Sequence, residues 1–201
     1  MSAEPIDYYF EFSSPYGYIA SHLADAMGTR LGREVRWRPF LLGPVFKATG
    51  QAPLVDIPMK GEYSRHDFVR SARYYGVKFA MPSKFPIGTV AGVRAFYWLA
   101  DRDPKKAHAF AKTLYDAYFV GGRDIGAPET VIDVAAEVGV ERSLVESALA
   151  DPAVKERARA EVDAAIARGV FGSPFFIVDG EPFWGCDRIP MLEEWVKRGG
   201  W

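Results

Sequence analysis

The fold of this chain is decided by residues 6–17, which read Ile6-Asp7-Tyr8-Tyr9-Phe10-Glu11-Phe12-Ser13-Ser14-Pro15-Tyr16-Gly17. Apolar side chains alternate with polar ones in the first half of the stretch, at Ile6, Tyr8, Phe10 and Phe12. A period of two residues predicts a strand. Pro15 predicts the first turn of a helix, because the N–H group that proline lacks has no partner there. Ser14 is therefore expected at the point where a strand leads into a helix.

The residues that follow extend this pattern into a βαβ unit. Helical spacing continues at Ile19, Leu23, Ala26 and Met27, and the helix is expected to end at Gly28 or Gly32. Val35 and Trp37 then alternate with charged residues and predict a second strand, which the helical crossover makes parallel to the first.

The middle of the chain is predicted to be a helical insert. Residues 41–60 contain three prolines and little periodicity, so we expect a long loop with short helical pieces. From Tyr63 to Arg168 the apolar spacing is helical, and the last of these helices is expected to begin with Asp151 as its N-cap and to end at Gly169. The insert is roughly 100 residues long, which is within the size range of a domain.

A sheet pattern returns after the insert. Residues 175–178 and 181–184 are apolar runs separated by Asp179-Gly180, a dipeptide typical of a two-residue hairpin turn. A last helix is predicted from Ile189 to Lys197. The predicted order is β-α-β, helical insert, β-β-α, which is an α/β fold. We expect one domain from residues 1–45 and 170–201 and a loop and helical insertion domain from residues 46–169.

Composition excludes several classes of function. The 201 residues include 25 Lys+Arg and 26 Asp+Glu, a net charge of −1, so the basic surface of a nucleic-acid-binding protein is not expected. Cys186 is the only cysteine, which excludes an internal disulfide and a Cys-x-x-Cys redox pair. The three histidines show no metal-ligand spacing, so no metal is expected. No apolar run is long enough to span a membrane, and residues 1–7 lack the pattern of a signal peptide, which favours a cytoplasmic location.

Three short segments could carry chemistry, although each also has a simple structural interpretation. Ser14 could stabilise an anion such as a thiolate, or it could only cap a helix. A cis peptide bond before Pro174 would present the backbone of Ser173 to an extended ligand, whereas a trans bond would only begin an edge strand. Asp187 and Arg188 could bind an ammonium and a carboxylate, or they could be a cap and a solvated charge.

Taken together, these segments resemble those of a known group of proteins. Four motifs carry the likeness: Tyr9-Phe10-Glu11-Phe12-Ser13-Ser14-Pro15-Tyr16, Pro58-Met59-Lys60-Gly61-Glu62-Tyr63, Val170-Phe171-Gly172-Ser173-Pro174 and Trp184-Gly185-Cys186-Asp187-Arg188. Along almost its whole length the chain is similar to the glutathione-dependent 2-hydroxychromene-2-carboxylate isomerases and to the kappa-class glutathione transferases. The resemblance implies a DsbA-like thioredoxin fold with a helical insertion, in which Ser14-Pro15 replaces the first half of the Cys-x-x-Cys motif.

The resemblance also implies glutathione as cosubstrate and a role for each motif. Ser14 would donate a hydrogen bond to the glutathione sulfur and favour the thiolate, Ser173 before a cis Pro174 would pair with the cysteinyl backbone, and Lys60 would reach the tripeptide from the loop before the insert. The segment Trp184, Gly185, Cys186, Asp187 and Arg188 would bind the tripeptide as well, with Asp187 and Arg188 at its γ-glutamyl end.

An isomerase of this type converts the ring-closed chromene carboxylate to trans-o-hydroxybenzylidenepyruvate through a thiolate adduct, in aromatic catabolism. By the same resemblance, Lys47 would lie near the substrate carboxylate, Phe85 would line the acceptor pocket, and the protein would be a homodimer. The chain departs from the isomerases at Leu54-Val55, where some of them have an Asn-Arg pair for the substrate. The alternatives are a kappa-like transferase or peroxidase and a catalytically silent glutathione-binding protein. Cys186, if it lay beside the bound tripeptide, could form a mixed disulfide.

Overall fold

The computed structural model describes residues 4–201, and the strands in this part of the chain form one sheet. These are β1 (Ile6–Phe10), β2 (Val35–Pro39), β3 (Phe175–Val178) and β4 (Glu181–Trp184). Their order across the sheet is β2-β1-β3-β4. β1 and β2 are parallel, whereas β1–β3 and β3–β4 are antiparallel. The predicted strand positions are confirmed.

The helices lie between and after these strands. They are α1 (Pro15–Ser21), α2 (Ala24–Leu31), α3 (Leu42–Thr49), α4 (Lys60–Tyr74), α5 (Val90–Ala100), α6 (Pro104–Phe119), α7 (Pro128–Glu137), α8 (Arg142–Ala150), α9 (Pro152–Ala167) and α10 (Ile189–Arg198). No helix within residues 4–201 has both the length and the apolar character needed to cross a membrane. The predicted element order is confirmed. The division into domains 1–45 with 170–201 and 46–169 stays a prediction, and residues 1–3 of it lie outside the described residues.

β1 is buried on both of its faces. All five of its residues are buried. Its even-numbered side chains point into the main core, where Tyr8 and Phe10 stack at a centroid distance of 5.0 Å and Phe10 also contacts the ring of Tyr115 in α6. Tyr9, on the opposite face, packs in a second cluster with Phe40 and with residues of α9. The central strand therefore needs helices on both sides.

Asp7 is the one charged side chain that β1 carries into the interior. Its carboxylate accepts a hydrogen bond from Arg38 Nε at 2.7 Å and is paired with Arg168, whose guanidinium also donates to the Tyr9 hydroxyl at 2.6 Å. Arg38 in turn contacts Glu161 of α9. A buried carboxylate is tolerated because it is paired and hydrogen-bonded, and here the pairs fasten α9 to the sheet.

The turns between elements follow their sequence signals. Asp179 and Gly180 have φ angles of 50° and 85°, the left-handed conformations of a type I′ hairpin turn. The Asp151 side chain caps α9 by accepting from Ala153 N at 2.8 Å, and Gly169 follows the helix with φ 77°. Both caps were predicted and are confirmed.

One prediction about the helices needs correction. The helix expected to run from Pro15 to Gly28 or Gly32 is broken at His22 and Leu23, whose N–H groups bond to the carbonyls three residues earlier and so end α1. In the segment expected to be a long loop with short helical pieces, those pieces are α3 and a 3₁₀ turn at Leu54–Asp56. α3 is stabilised by Val45, which is buried against the second cluster, a tertiary contact that local periodicity does not report.

The Asp7 ion pairs predict a stability effect. Asp7→Asn removes the charge and leaves Arg38 and Arg168 facing a neutral amide, so we expect the free energy of unfolding to fall by about 2–3 kcal/mol. Urea denaturation monitored by circular dichroism measures this. The control is Glu156→Gln, which breaks an exposed pair with Arg159 and should leave the midpoint unchanged. Equal midpoints for the wild type and Asp7→Asn would contradict the role given to Asp7.

Candidate functional site

A cavity of about 1100 Å³ lies beside the carboxyl end of β1. Its walls come from seven parts of the chain, within residues 11–16, 41–46, 51–55, 63–75, 85–90, 171–174 and 184–188. All four motifs singled out in the sequence contribute to this cavity, the second of them only through Tyr63, although the first and the last are separated by more than half of the chain. Its volume exceeds that needed by one drug-sized ligand, since such pockets measure roughly 300–1,000 Å³.

Ser14 lies at the start of α1, in the wall of this cavity. It is the N-cap residue, and its Oγ accepts a hydrogen bond from Gly17 N at 3.0 Å. The same hydroxyl donates to the carbonyl oxygen of Ser173, also at 3.0 Å. The capping role of Ser14 is thus observed, and the same side chain lies in the cavity wall, where its predicted role toward a ligand stays a prediction. α1 has only seven residues, so its dipole contributes little to stabilising an anion at this end. The Ser14 hydroxyl, as a hydrogen-bond donor, is the more important group here.

The two segments can approach this closely because residue 17 is glycine. A Cβ atom at position 17 would lie 2.7 Å from both Ser173 Oγ and the Tyr115 hydroxyl, which is closer than van der Waals contact allows. Tyr115 donates to the carbonyl of Glu11 at 2.9 Å, and Glu11 N donates to Ser173 Oγ at 3.0 Å. Hydrogen bonds therefore surround Ser14 and Ser173 and hold both in place.

The peptide bond between Ser173 and Pro174 is cis, as the resemblance implied. Gly172, just before it, packs against the ring of Trp184, and any Cβ at position 172 would overlap the indole. A second cis bond joins Phe85 to Pro86, which also line the cavity. No feature of the sequence singled out Pro86.

The segment after β4 forms the end of the cavity nearest α10. Gly185 has φ 119°, a conformation that favours glycine, and Cys186–Arg188 form a 3₁₀ turn. Asp187 and Arg188 both line the cavity with exposed side chains, and Arg188 Nη1 lies 3.2 Å from Asp187 Oδ2. A carboxylate and a guanidinium are therefore available to a ligand at this end.

Cys186 is in the cavity wall but is not a reactive thiol. Only 3% of the residue is exposed. Burial, with a smaller contribution from the charge of Asp187, raises the pKa of its thiol to about 12. Disulfide exchange proceeds through the thiolate, so the structure removes the chemical basis for a mixed disulfide at Cys186.

Other predicted ligand residues are divided between the cavity and its outside. Phe85 lines the cavity, half-buried, with its ring 6.0 Å from that of Phe68. Lys60, the first residue of α4, and Lys47, in the last turn of α3, are exposed and do not line it. Lys47 directly follows Phe46, which lines the cavity, whereas the lining residue nearest to Lys60 in sequence is Tyr63. Their roles stay predictions.

Glu11 is a cavity residue that sequence reasoning did not assign to the site. It is 6% exposed and accepts a hydrogen bond from the hydroxyl of Thr89, which is itself buried. Burial raises the pKa of the Glu11 carboxyl to about 7, against the opposing effect of the Thr89 hydrogen bond. The signal in the sequence was a charge, Glu11, within an alternating strand pattern. Alternation alone predicts a solvent-facing position for such a residue.

A second group missed in the sequence lies on α4 and contains Asp67 and Arg70. Asp67 accepts from the hydroxyl of Tyr16 at 2.5 Å and from Arg70 Nε at 3.0 Å. Burial opposes ionisation of Asp67, but hydrogen bonds from Tyr16 and Arg70 outweigh it and hold the pKa of the carboxyl below its usual value. The three-residue spacing of Asp67 and Arg70 indicated a helix pair, yet only the packing of α4 on α1 brings it to the cavity.

Comparisons with known proteins give the same relatives over almost the whole chain. The family described as DSBA-like thioredoxin domain matches residues 5–197. The chain is 28% identical to the 2-hydroxychromene-2-carboxylate isomerase of Pseudomonas putida, over 96% of this chain and 94% of that protein. It is 24% identical to glutathione S-transferase kappa 2 of Caenorhabditis elegans, over 95% of this chain and 91% of that protein.

Solved structures agree with the sequence comparisons. A 2-hydroxychromene-2-carboxylate isomerase superposes with a TM-score of 0.86 at 28% identity, covering 96% of this chain and 94% of that one. The cytosolic disulfide reductase DsbM of Pseudomonas aeruginosa, solved with GSH, has a TM-score of 0.68 at 15% identity, covers 96% of each chain and shows the shared fold. The predicted resemblance and the thioredoxin-like fold are confirmed.

The raised pKa of Glu11 predicts a pH-dependent stability. The folded protein keeps this proton up to about pH 7, whereas the unfolded chain loses it near 4.5. Between these values the folded state binds more protons, so ionisation of Glu11 lowers stability as pH rises, by about 3 kcal/mol in total. Glu11→Gln does not titrate. The unfolding free energy of the variant relative to wild type should therefore increase from about pH 4.5 to about pH 8.

Urea denaturation across this pH range tests the prediction for Glu11. Glu62→Gln, which removes an exposed carboxylate on α4, is the control. A pH-independent difference between Glu11→Gln and wild type would contradict the raised pKa of Glu11.

Burial of Cys186 predicts a thiol that resists labelling. With a pKa of about 12, its thiolate fraction near neutral pH should make alkylation by iodoacetamide at least about 10³-fold slower than that of an unfolded cysteine. Intact mass spectrometry before and after addition of concentrated urea measures both rates on the same sample. Rapid labelling of the folded protein would contradict the burial of this side chain.

Proposed function

We propose that this chain, which belongs to the DSBA-like thioredoxin domain family, is a glutathione-dependent isomerase of the 2-hydroxychromene-2-carboxylate type. It would convert the ring-closed chromene carboxylate to trans-o-hydroxybenzylidenepyruvate. The observation that carries the proposal is the meeting of Ser14 and Ser173 in one cavity wall, where a hydroxyl donor and a backbone carbonyl lie 3.0 Å apart. A peptide ligand that carries a thiol can use both groups, because the hydroxyl can donate to its sulfur and the carbonyl can accept from its backbone N–H. The similarity to the isomerase of Pseudomonas putida supports the reaction class.

The residues of the cavity fit glutathione in three respects. The hydroxyl of Ser14 can donate to a sulfur atom, and the carbonyl of Ser173, beside a cis proline, can accept from a peptide N–H. Asp187 and Arg188 offer opposite charges to the ammonium and carboxylate of a γ-glutamyl group. The chain has no thiol of its own that could serve instead, because Cys186 is buried and protonated.

Ser14 has to turn its proton to act on a ligand. Its oxygen accepts from Gly17 N, which fixes the position of the oxygen and leaves the O–H free to rotate between acceptors. Rotation from the Ser173 carbonyl to a sulfur would release that carbonyl for the N–H of the ligand. One internal bond is therefore exchanged for two bonds to the ligand, which lowers the cost of binding.

Glutathione, when bound, supplies the sulfur nucleophile that makes rotation about the acceptor's carbon–carbon bond possible. Ser14 stabilises the charged form of that nucleophile, since a hydrogen bond to a thiolate lowers its pKa. Phe85, Phe68 and the neighbouring apolar wall exclude water from the acceptor. Lys60 as a further contact to glutathione, Lys47 as a contact to the substrate carboxylate, the homodimer and the cytoplasmic location belong to this proposal too.

A kappa-like transferase or peroxidase is the second candidate. Leu54 and Val55 line the cavity where some isomerases have polar residues, and the similarity to the kappa-class proteins also covers almost the whole chain. This enzyme would use the same thiolate with another electrophile or with a hydroperoxide. A silent glutathione-binding protein is the remaining alternative.

Binding and turnover experiments separate these functions. Calorimetry with glutathione should show binding, and its absence at millimolar glutathione would exclude every glutathione-dependent function. Turnover of 2-hydroxychromene-2-carboxylate, followed by absorbance, supports the isomerase. Turnover of 1-chloro-2,4-dinitrobenzene or cumene hydroperoxide alone supports the second candidate, and binding without any turnover supports the silent protein.

Ser14→Ala should raise the thiol pKa of bound glutathione by about 1–2 units, because a hydrogen bond to a charged group contributes about 1.5–3 kcal/mol. Turnover near neutral pH should fall by about 10- to 100-fold. The ultraviolet absorbance of the thiolate, titrated with pH, measures the first effect. Ser21→Ala removes a hydroxyl that bonds to Tyr18 O at the other end of α1 and is the matched control. An unchanged thiol titration in Ser14→Ala would remove the activating role.

A further inference from the structure

A cluster of polar side chains on α4 faces the cavity without a role in the reaction described so far. It consists of Tyr63, Asp67, Arg70 and Ser71, joined by Tyr16 from α1. The residues on α4 are spaced by three or four positions, so they share one face of the helix. Arg70 and Ser71 are adjacent but both contact Asp67, at the centre of the cluster.

Asp67 orients the other members of the cluster. Its Oδ2 accepts from the hydroxyls of Tyr16, at 2.5 Å, and Ser71, at 3.3 Å. Its Oδ1 accepts from Arg70 Nε at 3.0 Å and from Nη2 of the same guanidinium. Since three side chains share the charge of Asp67, the guanidinium of Arg70 is not fully neutralised by it.

Arg70 is held in place and still has donors to spare. Nη2 also donates to the hydroxyl of Tyr63 at 2.8 Å, and the guanidinium carbon lies 5.4 Å from the centre of the Tyr63 ring. Within residues 4–201, Nη1 has no hydrogen-bond partner. A guanidinium has five N–H donors, and those on Nε and Nη2 are engaged by Asp67 and Tyr63, so the two on Nη1 are available to an anion.

The positions of the cationic side chains in the cavity wall indicate where an anionic group of a second ligand could bind. Among the lysines and arginines of the described residues, Arg70 and Arg188 alone line the cavity. Arg188 lies at the end near α10, which the proposed function gives to the γ-glutamyl group. Arg70 is therefore the cavity-lining cation that remains for the second ligand. Lys47 does not line the cavity, and Leu54 and Val55, which do, are apolar.

We propose that Arg70, oriented by Asp67 and Tyr63, binds the carboxylate of an aromatic acceptor. This inference rests on the proposed function and adds a residue that determines its specificity. Tyr16 follows Ser14 by two residues and bonds to Asp67, so the sulfur position and Arg70 lie along one continuous wall. An acceptor whose reactive carbon meets the sulfur can then place its carboxylate on Arg70. Asp67 and Tyr63 are positioning residues, because they act through the guanidinium.

Equilibrium binding tests the proposal without requiring turnover. With glutathione present at a saturating concentration, calorimetry compares trans-cinnamate with its methyl ester, which has the same ring and no charge. Wild type should prefer the acid. Arg70→Ala should weaken binding of the acid by about 10- to 100-fold and leave the ester unchanged, since hydrogen bonds to charged groups contribute about 1.5–3 kcal/mol. Arg70→Lys, which keeps the charge but loses the oriented donors on Nη1, should give an intermediate loss.

Arg73→Ala is the matched control. Arg73 is an exposed arginine three residues after Arg70 in α4, and it does not line the cavity. It should bind both compounds as wild type does. An equal loss for acid and ester in Arg70→Ala, or no loss for either, would overturn the proposal while glutathione binding still supports the proposed function. Failure of wild type to bind glutathione would overturn the proposed function instead, and the acid–ester comparison would still report on Arg70. With turnover, Arg70→Ala should raise KM for 2-hydroxychromene-2-carboxylate more than it lowers kcat.

Discussion

Burial of β1 on both faces is the constraint on which the rest of the structure depends. A strand with no solvent-facing side needs neighbours that pair its backbone on both edges and helices that cover both surfaces. β2 and β3 supply the edges, α5 and α6 lie against one surface, and α9 covers the other. The carboxylate of Asp7 is stable in this position because Arg38 and Arg168 pair with it. The pairing and packing of β1 thus depend on residues from both ends of the chain.

The same constraint determines where the site forms. β1 ends at Phe10, and the chain that leaves its carboxyl end has to turn into α1 while still packed against the segment before β3. Ser14 and Ser173 meet at this turn, and Gly17 permits the contact because it has no side chain. The cavity is therefore a result of how the central strand is terminated. The helices between β2 and β3 then provide its far wall, through α3 and α4.

Local sequence patterns predicted the parts of this arrangement that local physics controls. The strands, the type I′ turn at Asp179-Gly180 and the Asp151 cap follow from alternation, left-handed turn residues and side-chain capping. The break after Ser21 and the helix around Val45 depend on tertiary contacts, so periodicity could not show them. Motif resemblance predicted Ser14 and Ser173 as site residues, and both line the cavity, but it could not show that the exposed side chains of Lys47 and Lys60 lie outside the cavity lining.

Glu11, Asp67 and Arg70 show why charged residues are the hardest part of a site to predict. In sequence, a charge between apolar strand residues and an i, i+3 pair on a helix both indicate solvent-facing positions. Here α4 packs on α1 and brings Asp67 and Arg70 to the cavity, while Thr89 bonds to Glu11, so that all three charged residues line the cavity. Burial in the cavity wall has opposite outcomes for the two carboxyl groups. At Glu11 burial outweighs the hydrogen bond from Thr89 and raises the pKa, whereas at Asp67 hydrogen bonds from Tyr16 and Arg70 outweigh burial and lower the pKa. The cavity wall thereby holds one carboxyl with a raised pKa, that of Glu11, and two carboxylate–guanidinium pairs, Asp67–Arg70 and Asp187–Arg188.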